Sequence, residues 1–167
     1  IAMTYGEANA NDGKQQPMTE QRLASSGSAF AAAHEEGSRW LIGNGAIRKT
    51  LVWEEGWGLH LAALTHGATG HMWRSDILAD ELAGGEFTLN WNGETFSARQ
   101  ATALHGVQAR AEGEAVTLQF NLRLFDLLDV ALVYRVHDTA ALIEQWVEVT
   151  PLQAGTLSRV APLTVSM

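Results

Sequence analysis

Val116 to Thr150 reads V-T-L-Q-F-N-L-R-L-F-D-L-L-D-V-A-L-V-Y-R-V-H-D-T-A-A-L-I-E-Q-W-V-E-V-T. Three stretches within it alternate apolar and polar residues. Val116, Leu118, Phe120, Leu122 and Leu124 fall on one side, against Thr117, Gln119, Asn121 and Arg123. Val130, Leu132, Tyr134 and Val136 form the second set. After the turn His137-Asp138-Thr139 the third runs from Leu142 to Thr150. A period of two places each apolar set on one face of a pleated sheet. Strands this long and apolar require a second apolar layer. The fold expected is all-β, an antiparallel β-sandwich. Leu124, Leu127, Leu128 and Ala131 also fit a helical stripe over about 122–133, but Val130, Val133, Tyr134 and Val136 favour strands. Phe120, Leu122, Tyr134, Val136, Trp146 and Val147 are the expected core.

Working outward, Arg39 to Trp53 reads R-W-L-I-G-N-G-A-I-R-K-T-L-V-W. Asn44-Gly45 in its middle predicts a type I′ hairpin, whose two turn residues want positive φ. Glu54-Glu55-Gly56 makes the next turn and Trp57 to Thr65 the next strand. Asn92-Gly93 joins Glu86–Trp91 to Glu94–Ala98 by the same rule. Ala101–Ala109 and Ala115–Leu124 pair across residues 110–114. Arg74 to Gly85 is mixed and reads as a short helix or a long loop. Ile1 to Gly37 differs from the rest, being rich in small and polar residues. Ala8–Pro17 has the composition of a disordered segment, and Met18–Leu23 allows a helical turn capped by Thr19. Two parts are therefore expected, a flexible leader over 1–37 and a β-sandwich domain over 38–167. With Ile1 at its start and Ser166-Met167 inside an apolar run, the chain reads as a fragment of something longer.

The 167 residues suit one domain, which at this size buries roughly 70% of its unfolded surface. The net charge of -8, with 11 Lys and Arg that look scattered in sequence, disfavours nucleic acid and anionic membrane as partners. There is no cysteine, hence no disulfide or thiolate metal site; this fits cytoplasm and periplasm alike. No apolar run reaches the ~18 residues of a membrane span.

No residue set spells out a reaction. Glu35-Glu36, Glu54-Glu55 and Asp80-Glu81 are adjacent pairs. Neighbours on a strand point to opposite sides, so none is a glycosidase dyad by itself; solvated loop charge explains them better. His60, His66 and His71 lack the spacing of a zinc site. Gly43-Asn44-Gly45 lacks the third glycine of a dinucleotide fingerprint. Ser25, Ser26 and Ser28 sit in no nucleophile elbow. No catalytic residue, metal or cofactor is expected. The six tryptophans are more informative. Trp40, Trp91 and Trp146 lie inside strand patterns and suit the core. Trp53, Trp57 and Trp73 flank turns, the first two beside Glu54 and Glu55. Such loop-edge aromatics can contact a sugar or another domain.

Two blocks carry a family likeness. The first is Arg39-Trp40-Leu41-Ile42-Gly43-Asn44-Gly45-Ala46-Ile47-Arg48, followed by Gly58-Leu59-His60-Leu61 and by Thr65 to Gly70. The second is Val133-Tyr134-Arg135-Val136-His137-Asp138, then Ile143-Glu144-Gln145-Trp146-Val147-Glu148-Val149. Together they resemble the N-terminal β-sandwich, a galactose-mutarotase-like supersandwich, of bacterial α-galactosidase-like glycoside hydrolases, the melibiase group. The likeness spans about 38–167. His137 stands where the pattern has Tyr, Ala140 or Ala141 where it has Pro, and Thr150-Pro151 where it has a turn asparagine. The resemblance implies a downstream (β/α)₈ barrel of the same chain that carries both catalytic aspartates. A barrel of roughly 250 residues does not fit within this chain, so no catalytic residue transfers to it. The implied role is a non-catalytic module that packs on the barrel, shapes its sugar site or joins subunits in a homo-oligomer. Trp53, Trp57, Trp73, Glu54 and Glu55 are its candidate contacts to a domain or an oligosaccharide. A free-standing carbohydrate-binding module is a second possibility. A mutarotase-like epimerase is a third, since Thr65 to Gly70 also resembles that family's early segment; it would need His105 or His137 as acid with Glu144 or Glu148 as base.

Overall fold

A computed structural model describes residues 19–34, 37–74 and 85–162. The described residues form strands, all paired antiparallel, and one 3₁₀ turn. In chain order, β1 (Glu20–Ser26), β2 (Ala29–His34), β3 (Arg39–Gly43), β4 (Ile47–Glu54), β5 (Gly58–His66) and β6 (Met72–Arg74) make a six-stranded meander. β7 (Phe87–Trp91) and β8 (Glu94–Ser97) form a hairpin, and the 3₁₀ turn Ala98–Gln100 follows. Then β9 (Ala103–Glu112), β10 (Ala115–Leu124), β11 (Leu128–His137) and β12 (Ile143–Pro151) build a four-stranded sheet. The last strand, β13 (Leu157–Pro162), returns to pair with β7.

The apolar sets read from sequence line the inside of the four-stranded sheet. Val116, Leu118, Phe120, Leu122 and Leu124 of β10 meet Leu128, Val130, Leu132, Tyr134 and Val136 of β11 in one buried cluster. From the opposite layer come Ala29, Ala31, Trp40, Ile42, Leu51 and Leu59, joined by Phe87, Leu89, Trp91 and Phe96. Phe120 stands edge-on to Trp40 at 5.3 Å and to Tyr134 at 6.1 Å. Burying one such ring contributes ~1.5–3 kcal/mol. A polar knot crosses this core. The Glu86 carboxylate, fully buried, pairs with Lys49 of β4 and accepts from the Tyr134 hydroxyl. Gln145 of β12 donates to the Glu86 carbonyl. Burial first, then the Glu86 charge, pushes the Tyr134 hydroxyl well above its ordinary pKa.

Several expectations change. The stretch expected as a flexible leader contains β1 and β2, so order begins well before Ser38. Ala29 and Ala31 reach the core because their small side chains let β2 lie close to the opposite sheet. Met18–Leu23 is not helical where described, since Glu20–Leu23 belongs to β1; Ala8–Pro17 lies outside the described residues. The alternative helix over 122–133 does not form, because Leu122 pairs with Val130 and Leu124 with Leu128 across a tight hairpin. Asn92-Gly93 has positive φ at both positions, 52° and 86°, as a type I′ turn requires. Asn44-Gly45 does not; there Asn44 Oδ1 accepts from the Ala46 and Ile47 N–H groups at 2.8 and 3.0 Å, an Asx-type turn. Trp146 and Val147 cannot both face the core, being strand neighbours. Val147 packs inward against the core cluster. Trp146 is opposite Val133 on the outer face, with Arg135 5.2 Å over its ring. Most of Arg74 to Gly85 falls outside the described residues.

Candidate functional site at the open end

Both ends of the sandwich are made of turns, and they are built differently. At one end the layers are tied by hydrogen bonds. Ser26 Oγ of β1 donates to the Gly113 carbonyl in the β9–β10 turn at 2.6 Å. The backbone N–H of Ser28 donates to the Asp138 carboxylate, and its hydroxyl donates to the Asp138 carbonyl at 2.9 Å. Ser28 beside it holds the Asp138 carboxyl below its ordinary pKa, its side chain first and its backbone N–H second. Asn44 Nδ2 donates to the His137 and Ala140 carbonyls at 2.8 and 2.7 Å.

The other end opens into a groove of about 640 Å³, within the range of small-molecule sites. Trp53, Glu55, Gly56 and Trp57 form one wall, from the β4–β5 turn. Arg99, Gln100, Ala101 and Thr102 form the next, from the 3₁₀ turn, and Phe125 of the β10–β11 turn closes it. Local chemistry fixes each wall. The Trp57 N–H returns to the Glu54 carbonyl at 3.0 Å, and Gly56 takes φ 81°. Gly58 has φ 65°, and a Cβ there would strike the Ala98 carbonyl oxygen. Only glycine lets β5 start beneath the 3₁₀ turn. That turn carries a capping box: Ser97 Oγ accepts from the Arg99 N–H at 3.3 Å, and Gln100 Oε1 accepts from the Ser97 N–H at 2.9 Å. The Phe125 N–H donates to Thr102 Oγ1 at 3.1 Å. It holds Phe125 at φ 53°, a conformation that costs a non-glycine residue on the order of 1–3 kcal/mol.

The groove is aromatic and partly wet. Trp57 is 47% exposed and Phe125 44%. The Arg99 guanidinium lies 5.1 Å over the Trp57 ring, and Phe125 meets Phe96 edge-on at 5.9 Å. Beneath the turn His60 is 2% exposed; burial leads in pulling its pKa down, so the imidazole is neutral near neutral pH. Among the described lining residues Glu55 is the one carboxylate. One carboxylate does not make the pair that glycosidic hydrolysis needs. The groove presents flat apolar faces bordered by a guanidinium, an amide and a hydroxyl.

Of the residues singled out in sequence, Trp53, Trp57 and Glu55 share the groove. Glu54 is exposed in the same turn but does not line it. Trp73 is elsewhere: it pairs with Leu64, six positions past Gly58, or roughly 20 Å along β5, and stacks edge-on with His71 at 4.4 Å. Arg99, Gln100, Thr102 and Phe125 carried no signal in sequence, because the segment 99–102 and Phe125 are separated by two strands, β9 and β10, and meet only in the fold. His137 comes within 3.4 Å of Glu144 on an exposed surface. His105 and Glu148 line one shallow depression of about 300 Å³ on the outer face of the four-stranded sheet. No protein-family model matches the chain, and no curated protein or solved structure matches it.

Proposed function

We propose that this chain is the non-catalytic β-sandwich module of a carbohydrate-active enzyme of the α-galactosidase-like kind. Its open end packs against the catalytic barrel downstream in the same chain and shapes the mouth of the sugar site. The observation that carries this is the groove around Trp57 and Phe125, where two half-exposed rings, 47% and 44%, line one concave surface, whereas the comparably exposed Trp73 lies outside it. Half-exposed rings set among polar groups are what docking surfaces use. The family likeness over 38–167 supports the carbohydrate context. In the full-length protein, Trp57→Ala should loosen the module from the barrel, read as earlier proteolytic cutting between them, and should raise KM for an aryl α-galactoside. The reading fails if this chain alone hydrolyses that substrate above the buffer rate after repurification. It fails equally if the Trp57 variant leaves both junction and KM unchanged.

A free-standing carbohydrate-binding module is the second reading, favoured by Arg99, Gln100 and Thr102 beside the Trp57 ring, since sugars pair hydroxyls with polar groups and present flat faces to aromatics. Calorimetric titration of the isolated chain with galactosides separates the two. Saturable heat that vanishes in Trp57→Ala favours the binding module; no heat favours docking.

A further inference from the structure

The two outer faces of the sandwich treat arginine differently. On the four-stranded sheet every outward arginine has a carboxylate partner: Arg110 and Arg135 with Glu112, Arg123 with Asp129. On the six-stranded sheet Arg22 and Arg48 are exposed and, among the described residues, make no ion pair or hydrogen bond. Both instead lie over the Phe30 ring, Arg22 at 4.3 Å and Arg48 at 5.3 Å from its centre. The pairing explains the reach. Phe30, Gly43, Arg48 and Thr65 follow one another across β2, β3, β4 and β5. Gly43 has no side chain, so nothing stands between Arg48 and the ring. Phe30 itself is 5% exposed and sits with Ala32 and Leu41 in a small apolar cluster on this face.

Stacking uses the flat face of a guanidinium and leaves its in-plane N–H donors pointing outward. The buried ring also restrains both side chains, which lowers the ordering cost of binding. The two charges lie within about 10 Å of each other, on a chain of net charge -8. Guanidinium forks match phosphate, sulfate and carboxylate oxygens. We propose that Arg22 and Arg48, held on Phe30, form a binding site for an oxyanion group on the outer face of the six-stranded sheet, remote from the open-end groove. The class of ligand is a small molecule or saccharide bearing a phosphate, sulfate or carboxylate.

The test is nuclear magnetic resonance titration of the chain with inorganic phosphate at constant ionic strength, with chloride as reference. Saturable shifts confined to β1, β2 and β4, with a dissociation constant of about 1–10 mM, are expected. Arg22→Gln and Arg48→Gln should each weaken binding at least about fivefold and together abolish it, while Arg110→Gln changes nothing. Unchanged thermal unfolding of the variants shows that their folds hold. Parallel titrations with sulfate and with acetate identify the group: preference for acetate points to a uronate-type carboxylate, preference for phosphate or sulfate to an ester. No saturable shift beyond the chloride reference overturns the proposal, as does equal binding by the double variant.

Discussion

The two ends of the sandwich are made from the same element, the hairpin turn, yet they are held by opposite means. At the tied end Ser26, Ser28, Asn44 and Asp138 link turns of different sheets through directional hydrogen bonds. At the open end Gln100 bonds back to Ser97, and Thr102 and Gln153 bond to the β10–β11 turn and the end of β10; none of these bonds reaches the six-stranded sheet. What faces outward there is ring surface. Hydrogen bonds between turns fix how the layers meet and leave little to offer a partner. Exposed rings fix little and offer much. Under the proposed function, stability belongs to one end and recognition to the other.

The largest test of that division is Asn44→Ala. Asn44 is 5% exposed, and its side chain makes four hydrogen bonds, two of them to the β11–β12 turn. Their loss should cost about 2–4 kcal/mol in urea unfolding, at ~1 kcal/mol per bond. A cost below about 1 kcal/mol would mean that the tied end does not hold the layers.

Acid gives a more local comparison. The Asp138 carboxyl is depressed in the fold, so its contribution is present above the unfolded value of about 3.9. It disappears as pH falls through the lower folded value. Amide exchange of Ser28 and Ala29 should accelerate below about pH 4, while the amides of Arg99 and Phe125 keep their protection. Asp138→Asn should remove this acid response from the Ser28 amide. Equal acceleration at both ends would show that they open together.

The smallest expected effect is Trp57→Ala on the isolated chain. Its half-exposed ring should contribute within about 1 kcal/mol of stability, read from the urea midpoint. A loss above about 2 kcal/mol would make Trp57 a packing residue and erase the contrast between the ends.

Much of this was legible where period and turn chemistry agree. β10 and β11 follow from strict alternation, and Asn92-Gly93 from its positive-φ preference. The β1–β2 hairpin was not legible because Ala29-Phe30-Ala31-Ala32-Ala33 buries residues on both faces and so shows no alternation. Its one local clue is Ser25-Ser26-Gly27-Ser28, with Gly27 at φ 56°. In β12 the expectation that Trp146 and Val147 both belong to the core conflicts with strand parity, which turns neighbours to opposite faces. At the groove, Trp53, Glu55 and Trp57 fall together because they are close in sequence. Arg99 and Phe125 became partners only through the fold, and Trp73 looked equivalent until β5 separated it from the turn.

The place of the β1–β2 hairpin has a practical consequence. Someone trimming the chain at residue 37, on the strength of its polar composition, would remove two strands and leave β3 as a bare edge. The backbone groups of β3 that now pair with β2 would face solvent beside Leu41. An unpaired apolar edge is a template for strand addition between molecules, so the shortened protein would aggregate, and its insolubility would be blamed on the wrong segment.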